Sequence, residues 1–383
     1  MQAARIAVYT DALSLAVENE QIATLSQNTE DGSMILTGVA PGETLLTVSL
    51  AGTSVINSKK ISILQNGIQQ IARMPVNEEN PLLLVSIYAQ TKNTEWMTDP
   101  TGQTVPKGVP AQGNLTVTGV WDMIPDDLKP HTAIQLHGDD FVGHGYGGNG
   151  DHDALWAWYG YFVDQAEEYN RNEPDTSKHI NLYLTLMTGG TPISVLNRTV
   201  PDDELTQFIA EHDCIKGVVL SENHNNSDTV AVAEVSAKYL KMMAQQGCYL
   251  VLTDIDRPGA NMMEKWFNDT DTLYNAAKKY HQYLIINSKS TTSSGFNTVR
   301  SFALGAWLGG LADNWGALTD AWTWYETGYH RIFSGINKVT YEDVRRVYTF
   351  PETLFAMNML QCYANGAVVF NAEHPFYCTV CVL

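Results

Sequence analysis

Positive charge is scarce in this chain of 383 residues: 23 Lys and Arg stand against 42 Asp and Glu, a formal net charge of −19. Nucleic acid and anionic membrane surfaces are recognised through clustered Lys and Arg, so neither is expected as a partner. No run of eighteen apolar residues occurs, so no membrane-spanning helix is expected. The opening residues, Met1-Gln-Ala-Ala-Arg5, lack the apolar stretch of a secretory leader. Cysteine is also sparse, five residues at positions 214, 248, 362, 378 and 381. They read as mostly buried thiols, and the single CxxC formed by Cys378 and Cys381 is thin support for zinc or redox chemistry. No G-x-S-x-G elbow is present, no G-x-G-x-x-G opens a helix after the first strand, and no HExxH occurs. Serine-hydrolase, dinucleotide and helix-borne zinc chemistry are therefore unsupported, and no cofactor or metal is expected.

What the chain does have is apolar bulk and aromatic rings. About 44% of its residues are hydrophobic, enough for a sizeable core, and it carries nine Trp and eighteen Tyr. Aromatic faces pack against the apolar faces of sugar rings while their polar tips bond hydroxyls, although at least half of these rings are expected in the core.

Residues 1 to about 65 read as β, with alternation in Ile35-Leu-Thr-Gly-Val39 and Thr44-Leu-Leu-Thr-Val-Ser49 around the turn Ala40-Pro-Gly-Glu43. The stretches Ile22-Ala-Thr-Leu-Ser26, Gly38-Val-Ala-Pro-Gly-Glu-Thr44 and Leu46-Thr-Val48 resemble a bacterial Ig-like group 2 module, short at its front. That likeness implies a small β-sandwich on a secreted or cell-surface bacterial protein.

Residues 66–383 change character, with short apolar runs alternating with helical stretches. Eight candidate strands are read at 82–88, 132–137, 180–187, 215–220, 249–254, 283–287, 306–312 and 366–371. Helices are read at 153–169, 202–212, 229–246, 270–281 and 351–364. Eight strands with alternating helices predict an α/β fold, a closed (β/α)8 TIM barrel. The chain ends soon after the eighth strand, so the barrel is expected to be shortened at its C-terminus.

Barrel chemistry sits at strand ends, and there titratable groups appear. Strand two ends in His137-Gly-Asp-Asp140, strand four in Ser221-Glu-Asn-His-Asn225, strand six in Asn287-Ser-Lys289, strand seven leads to Asp313-Asn-Trp315, and strand eight to Asn371-Ala-Glu-His374. Cleaving a glycosidic bond takes one carboxylic acid to protonate the leaving oxygen and one carboxylate to activate water or attack carbon. Glu222 is the first choice for the proton donor, with Asp313 and Glu373 as its partners; the competing reading is a structural carboxylate. His137, Asn223 and Lys289 are candidates to bond sugar hydroxyls. Trp315, Trp324 and Tyr325 are candidate platforms, in a strip that also holds Glu326. The Gly-, His- and Asp-rich stretch 137–153 reads as a substrate loop in preference to a metal site, because its ligand spacing fits no helix-borne motif.

Several segments together resemble glycoside hydrolase family 98 over roughly residues 75 to 383. They are Asn80-Pro-Leu-Leu-Leu-Val-Ser-Ile-Tyr88, Trp121-Asp-Met-Ile-Pro-Asp-Asp-Leu-Lys129, Ile134-Gln-Leu-His137 and Gly217-Val-Val-Leu-Ser-Glu-Asn-His224, then Leu304-Gly-Ala-Trp-Leu-Gly-Gly-Leu-Ala-Asp-Asn-Trp315 and Trp322-Thr-Trp-Tyr-Glu326. The resemblance implies an inverting endo-β-1,4-galactosidase that releases blood-group A or B oligosaccharides from host glycans. It implies Glu222 as general acid and Asp313 with Glu373 as the pair that holds and deprotonates the water, Glu326 being the alternative to Glu373. Inversion needs the carboxyls about 6.5–9.5 Å apart. Three other readings stay open: a xylan hydrolase of the same family, a non-catalytic carbohydrate-binding fragment, and a metal-dependent hydrolase using the His-rich loop.

Overall fold

The computed structural model describes residues 3–6, 13–27, 34–40, 42–50, 56–63, 72–88, 96–98, 104–106, 116–138, 150–187, 191–223, 226–255, 262–290, 298–319 and 352–372. The chain divides into two compact units, Met1–Gln70 and Ile71–Leu383.

The first unit holds six strands: β1 (Ala3–Ile6), β2 (Leu13–Val17), β3 (Ala23–Gln27), β4 (Met34–Gly38), β5 (Gly42–Leu50) and β6 (Ile56–Ile63). They pair antiparallel in two three-stranded sheets, ordered β1-β4-β3 and β2-β5-β6. Alternation along β5 buries Thr44 and Leu46 while Leu45 between them is exposed, the half-buried pattern that the sequence shows. Ala23 and Leu36 are buried with them.

The second unit is a closed barrel of eight parallel strands. They are β7 (Leu82–Tyr88), β10 (Thr132–His137), β11 (Leu182–Met187), β12 (Ile215–Ser221), β13 (Tyr249–Ile255), β14 (Leu284–Ser290), β15 (Asn314–Thr319) and β16 (Val369–Ala372), with β16 pairing back onto β7. A short hairpin, β8 (Trp96–Thr98) with β9 (Thr104–Pro106), follows β7 in the chain. The helices among the described residues are α1 (Val117–Asp122), α2 (His152–Asn172), α3 (Ile193–Thr199), α4 (Asp202–Glu211), α5 (Thr229–Gln246), α6 (Met262–Asn268), α7 (Asp271–Tyr280), α8 (Thr298–Leu308) and α9 (Glu352–Tyr363). None is long and apolar enough to cross a membrane.

Alternation sorts the strand residues into two cores. One set, including Leu136, Leu184, Val218, Leu220, Leu250, Leu252, Ile286 and Trp315, packs with helix residues such as Val163, Leu240 and Met243 in the layer between barrel and helices. The other, including Leu84, Ala133, Tyr183, Val219, Tyr249, Val251, Ile285 and Val369, fills the barrel interior. Tyr183 occupies so much of that interior that its neighbour Gly217 has no space for a side chain: a Cβ there would lie 2.5 Å from the Tyr183 ring and 2.6 Å from the Tyr249 carbonyl. At the N-terminal face, the Val76 N–H donates to the Tyr249 hydroxyl at 3.1 Å, and Arg73 donates to the carbonyls of Ile209, His212, Ile215 and Gln246.

One expected strand is a helix. Residues 306–312 were read as strand seven, but α8 runs to Leu308 and ends where Gly310 adopts a left-handed conformation, φ 72°. The Leu311 N–H bonds the Ala306 carbonyl and the Gly310 N–H the Trp307 carbonyl, the double hydrogen bond that closes a helix at a left-handed glycine. The true seventh strand, β15, starts at Asn314.

Candidate active site

Toward the C-terminal ends of the strands the barrel interior turns from apolar to polar. Inward positions two residues beyond the apolar layer are Ser86, Gln135, Thr185, Ser221, Thr253, Asn287 and Asn371, all buried. Gln135 joins two strands to its own, donating to Thr185 Oγ1 at 2.9 Å and accepting from the Asn371 amide. His137 Nε2 and Ser86 Oγ share a hydrogen bond at 3.1 Å. Neither amide atom of Asn287 or Asn223, nor the Thr253 hydroxyl, has a hydrogen-bond partner among the described residues. At the mouth of the barrel such atoms are left to water or a bound ligand.

Above this layer lies Glu222. Strand β12 points residues 217, 219 and 221 inward, so regular alternation would turn residue 222 outward. Glu222 instead has φ 52°, the one non-glycine residue with positive φ among the described residues. Such a conformation costs about 1–3 kcal/mol and persists where the surroundings impose it. Its N–H donates to the Thr253 carbonyl at 2.9 Å, which fixes the turn against β13. Its carboxylate Oε1 accepts from the Lys289 ammonium, carried inward by β14. The Lys289 side chain is 2% exposed and that of Glu222 19%, so Glu222 keeps some access to solvent while Lys289 has almost none.

The sequence model of glycosyl hydrolase family 98 matches residues 70–382. The chain belongs to this family. It is 30% identical over 312 residues to the blood-group-substance endo-1,4-beta-galactosidase of Clostridium perfringens, covering 80% of this chain and 36% of that protein. Two solved structures of the catalytic module of a family 98 glycoside hydrolase from Streptococcus pneumoniae are similar to it at 28% identity. The native form has a TM-score of 0.61 and the complex with the H-disaccharide blood group antigen 0.62, each covering 80% of this chain and 49% of that one. The chain thus spans about a third of the curated relative and about half of the solved chains.

Within this family 98 barrel, Glu222, Asn223, Lys289 and His137 lie at the C-terminal ends of β12, β14 and β10, and of these Glu222 and Lys289 touch. Asp313 does not join them. It precedes β15, at the opposite end of the barrel, where it is exposed and accepts from or shares a proton with His281 Nδ1 at 2.7 Å. The reason is that the apolar run before it, Ala306-Trp-Leu308, ends a helix, so Asp313 stands before the seventh strand and not after it. Trp315 is likewise no sugar platform, being fully buried in the layer between barrel and helices. Glu373, Trp324, Tyr325 and Glu326 lie outside the described residues, as does most of the loop 137–153. The residue that follows β15 in the sequence is Asp320, also outside the described residues. An acidic residue after the short run Trp315-Gly-Ala-Leu-Thr319 was the signal for it, masked by the more apolar helix before. Among the described residues, no cluster of three His, Cys, Asp or Glu could hold a metal ion.

Proposed function

We propose that this chain is an endo-acting, inverting glycoside hydrolase that cleaves β-1,4-galactosidic linkages in blood-group glycans, with Glu222 as proton donor. The observation that carries the reading is Glu222 itself: a half-buried carboxylate turned against strand alternation into the mouth of a family 98 barrel and met there by Lys289. The related Clostridium perfringens protein, whose name specifies the endo-1,4-beta-galactosidase reaction, and the related module bound to a blood group disaccharide support the substrate class.

In the proposed reaction the Glu222 carboxyl proton passes to the glycosidic oxygen as its bond to the anomeric carbon breaks. A water attacks from the opposite face and loses its proton to a second carboxylate. The candidates for that carboxylate are Asp320 and Glu373, which follow the last residues of β15 and β16 in the sequence. β16 stands four strands from β12 in a ring of eight, and β15 three strands, so both strands end across the mouth from Glu222. Asp320 takes the role given to Asp313. Residues 1 to about 65 are read as an Ig-like module, and the protein as secreted or held at a bacterial surface, where such glycans are met.

Glu222→Gln is expected to lower kcat on the glycan by at least about 10²-fold while glycan binding persists, the range for loss of a general acid. Near-normal turnover would remove Glu222 from the role. Proton NMR of the first product should show the α-anomer; a β-anomer would overturn inversion. A panel of blood-group A, B and H glycans and glucuronoxylan separates the family's two substrate classes, and cleavage of xylan alone would replace the galactosidase reading.

A further inference from the structure

We infer that Lys289 is a positioning residue, acting on the glycosidic bond through Glu222, and does not read sugar hydroxyls. The inference rests on the reading of Glu222 as proton donor. Lys289 follows Ile285 and Asn287 on the inward side of β14, and its side chain is 2% exposed. β14 is two strands from β12, so the side chain reaches past β13 to place its ammonium on Glu222 Oε1. Glu222 is available to it only because the left-handed backbone at that residue breaks the alternation of β12. The same turn is tied to β13 by the Glu222 N–H on the Thr253 carbonyl. Two independent anchors, one on the backbone and one on the carboxylate, therefore fix a single side chain. They divide its two oxygens: Oε1 takes the ammonium, and no described residue bonds Oε2. The oxygen left over is the one on the more exposed side chain of the pair, which suits it to meet a bound glycan. An ammonium that is itself out of solvent has little surface to offer a hydroxyl, so its effect on catalysis passes through the carboxylate.

The experiment uses the whole chain and two substrates, the natural oligosaccharide linkage and the matching dinitrophenyl glycoside, whose phenolate departs without needing a proton. Glu222→Gln should lose about 10²-fold or more on the first and far less on the second, the pattern of a missing general acid. Lys289→Met should follow it, with a large fall in kcat on the natural linkage, a much smaller one on the dinitrophenyl glycoside, and a KM within about threefold of the parent, as for a group felt in the transition state. In the Glu222→Gln background, Lys289→Met should cost nothing further, since residues acting through one another are not additive. Equal losses on both substrates, a raised KM with unchanged kcat, or additive losses in the double variant would each overturn the inference and leave Glu222's role standing. If Glu222→Gln shows no dependence on the leaving group, the acid assignment fails and the inference falls with it. Should Lys289→Met not fold, as judged by its unfolding temperature, Lys289→Arg takes its place: the charge is kept but the reach altered, and the same contrast between substrates is expected in smaller measure, its absence counting against the inference.

Discussion

A glutamate resists the left-handed backbone, and Glu222 adopts it at the end of a strand whose ladder to β13 is regular. The strain is accompanied by an ion pair and by buried amides and a hydroxyl, of Asn223, Thr253 and Asn287, that have no partner among the described residues. Three kinds of local cost in one place are what a site selected for chemistry looks like, because selection for stability alone would remove them. Asp313 makes the opposite case. Its carboxylate is about half exposed and its partner His281 about a third, so the pair contributes about 0–1 kcal/mol. Asp313→Asn is expected to leave kcat and KM for the glycan unchanged and to shift the unfolding temperature by no more than a few degrees. A hundredfold loss of kcat in that variant, measured by reducing-end release, would restore Asp313 to the catalytic set and put the observed strand order in doubt.

At the scale of elements, most of the barrel was legible. Five of the seven other strands both begin and end within a residue or two of the expectation, because buried parallel strands such as Leu250-Val-Leu252 are continuous apolar runs. Periodicity likewise gave α2, α4, α5, α7 and α9. The seventh strand failed because Ala306-Trp-Leu308 is as apolar as any strand and Gly309-Gly310 was read as part of the run, when it is the helix's end. The real strand, Asn314–Thr319, is inconspicuous because Gly316 and Ala317 are small. Smallness there has a cause in packing: a Cβ at Gly316 would stand 2.5 Å from the Val369 carbonyl. Gly217 plays the same part beside Tyr183. Gly217→Ala drives a methyl into a ring and a backbone carbonyl at once, and the carbonyl belongs to the β12–β13 ladder. Overpacking of this kind costs about 1–3 kcal/mol, seen as a drop of several degrees in the unfolding temperature. An unchanged melting curve would mean that the Tyr183 ring is not where the barrel interior holds it. The residues that sequence reading could not supply are those set by register and backbone conformation: which polar groups share the layer of Asn287, and that Glu222 faces inward at all.

For the whole molecule the governing fact is closure. Leu82 pairs with Val369, so the ring is completed only when the two ends of the barrel segment meet. Among the described residues, both of its cores are built from Ala72 onward. The Arg73 guanidinium, gathering carbonyls from α4, β12 and α5, and Val76, bonded to Tyr249, finish the N-terminal face from within the same unit. A chain starting at residue 71 therefore carries every strand of the ring, both cores and the Glu222–Lys289 pair. It is expected to unfold in one main calorimetric transition within about 3 °C of that of the full chain, a shift equivalent to roughly 2 kcal/mol for a domain of this size. Its kcat on the glycan should match. If the barrel transition disappears when residues 1–70 are removed, the two units fold as one, and the catalytic barrel depends on the β unit for stability that its own cores do not supply.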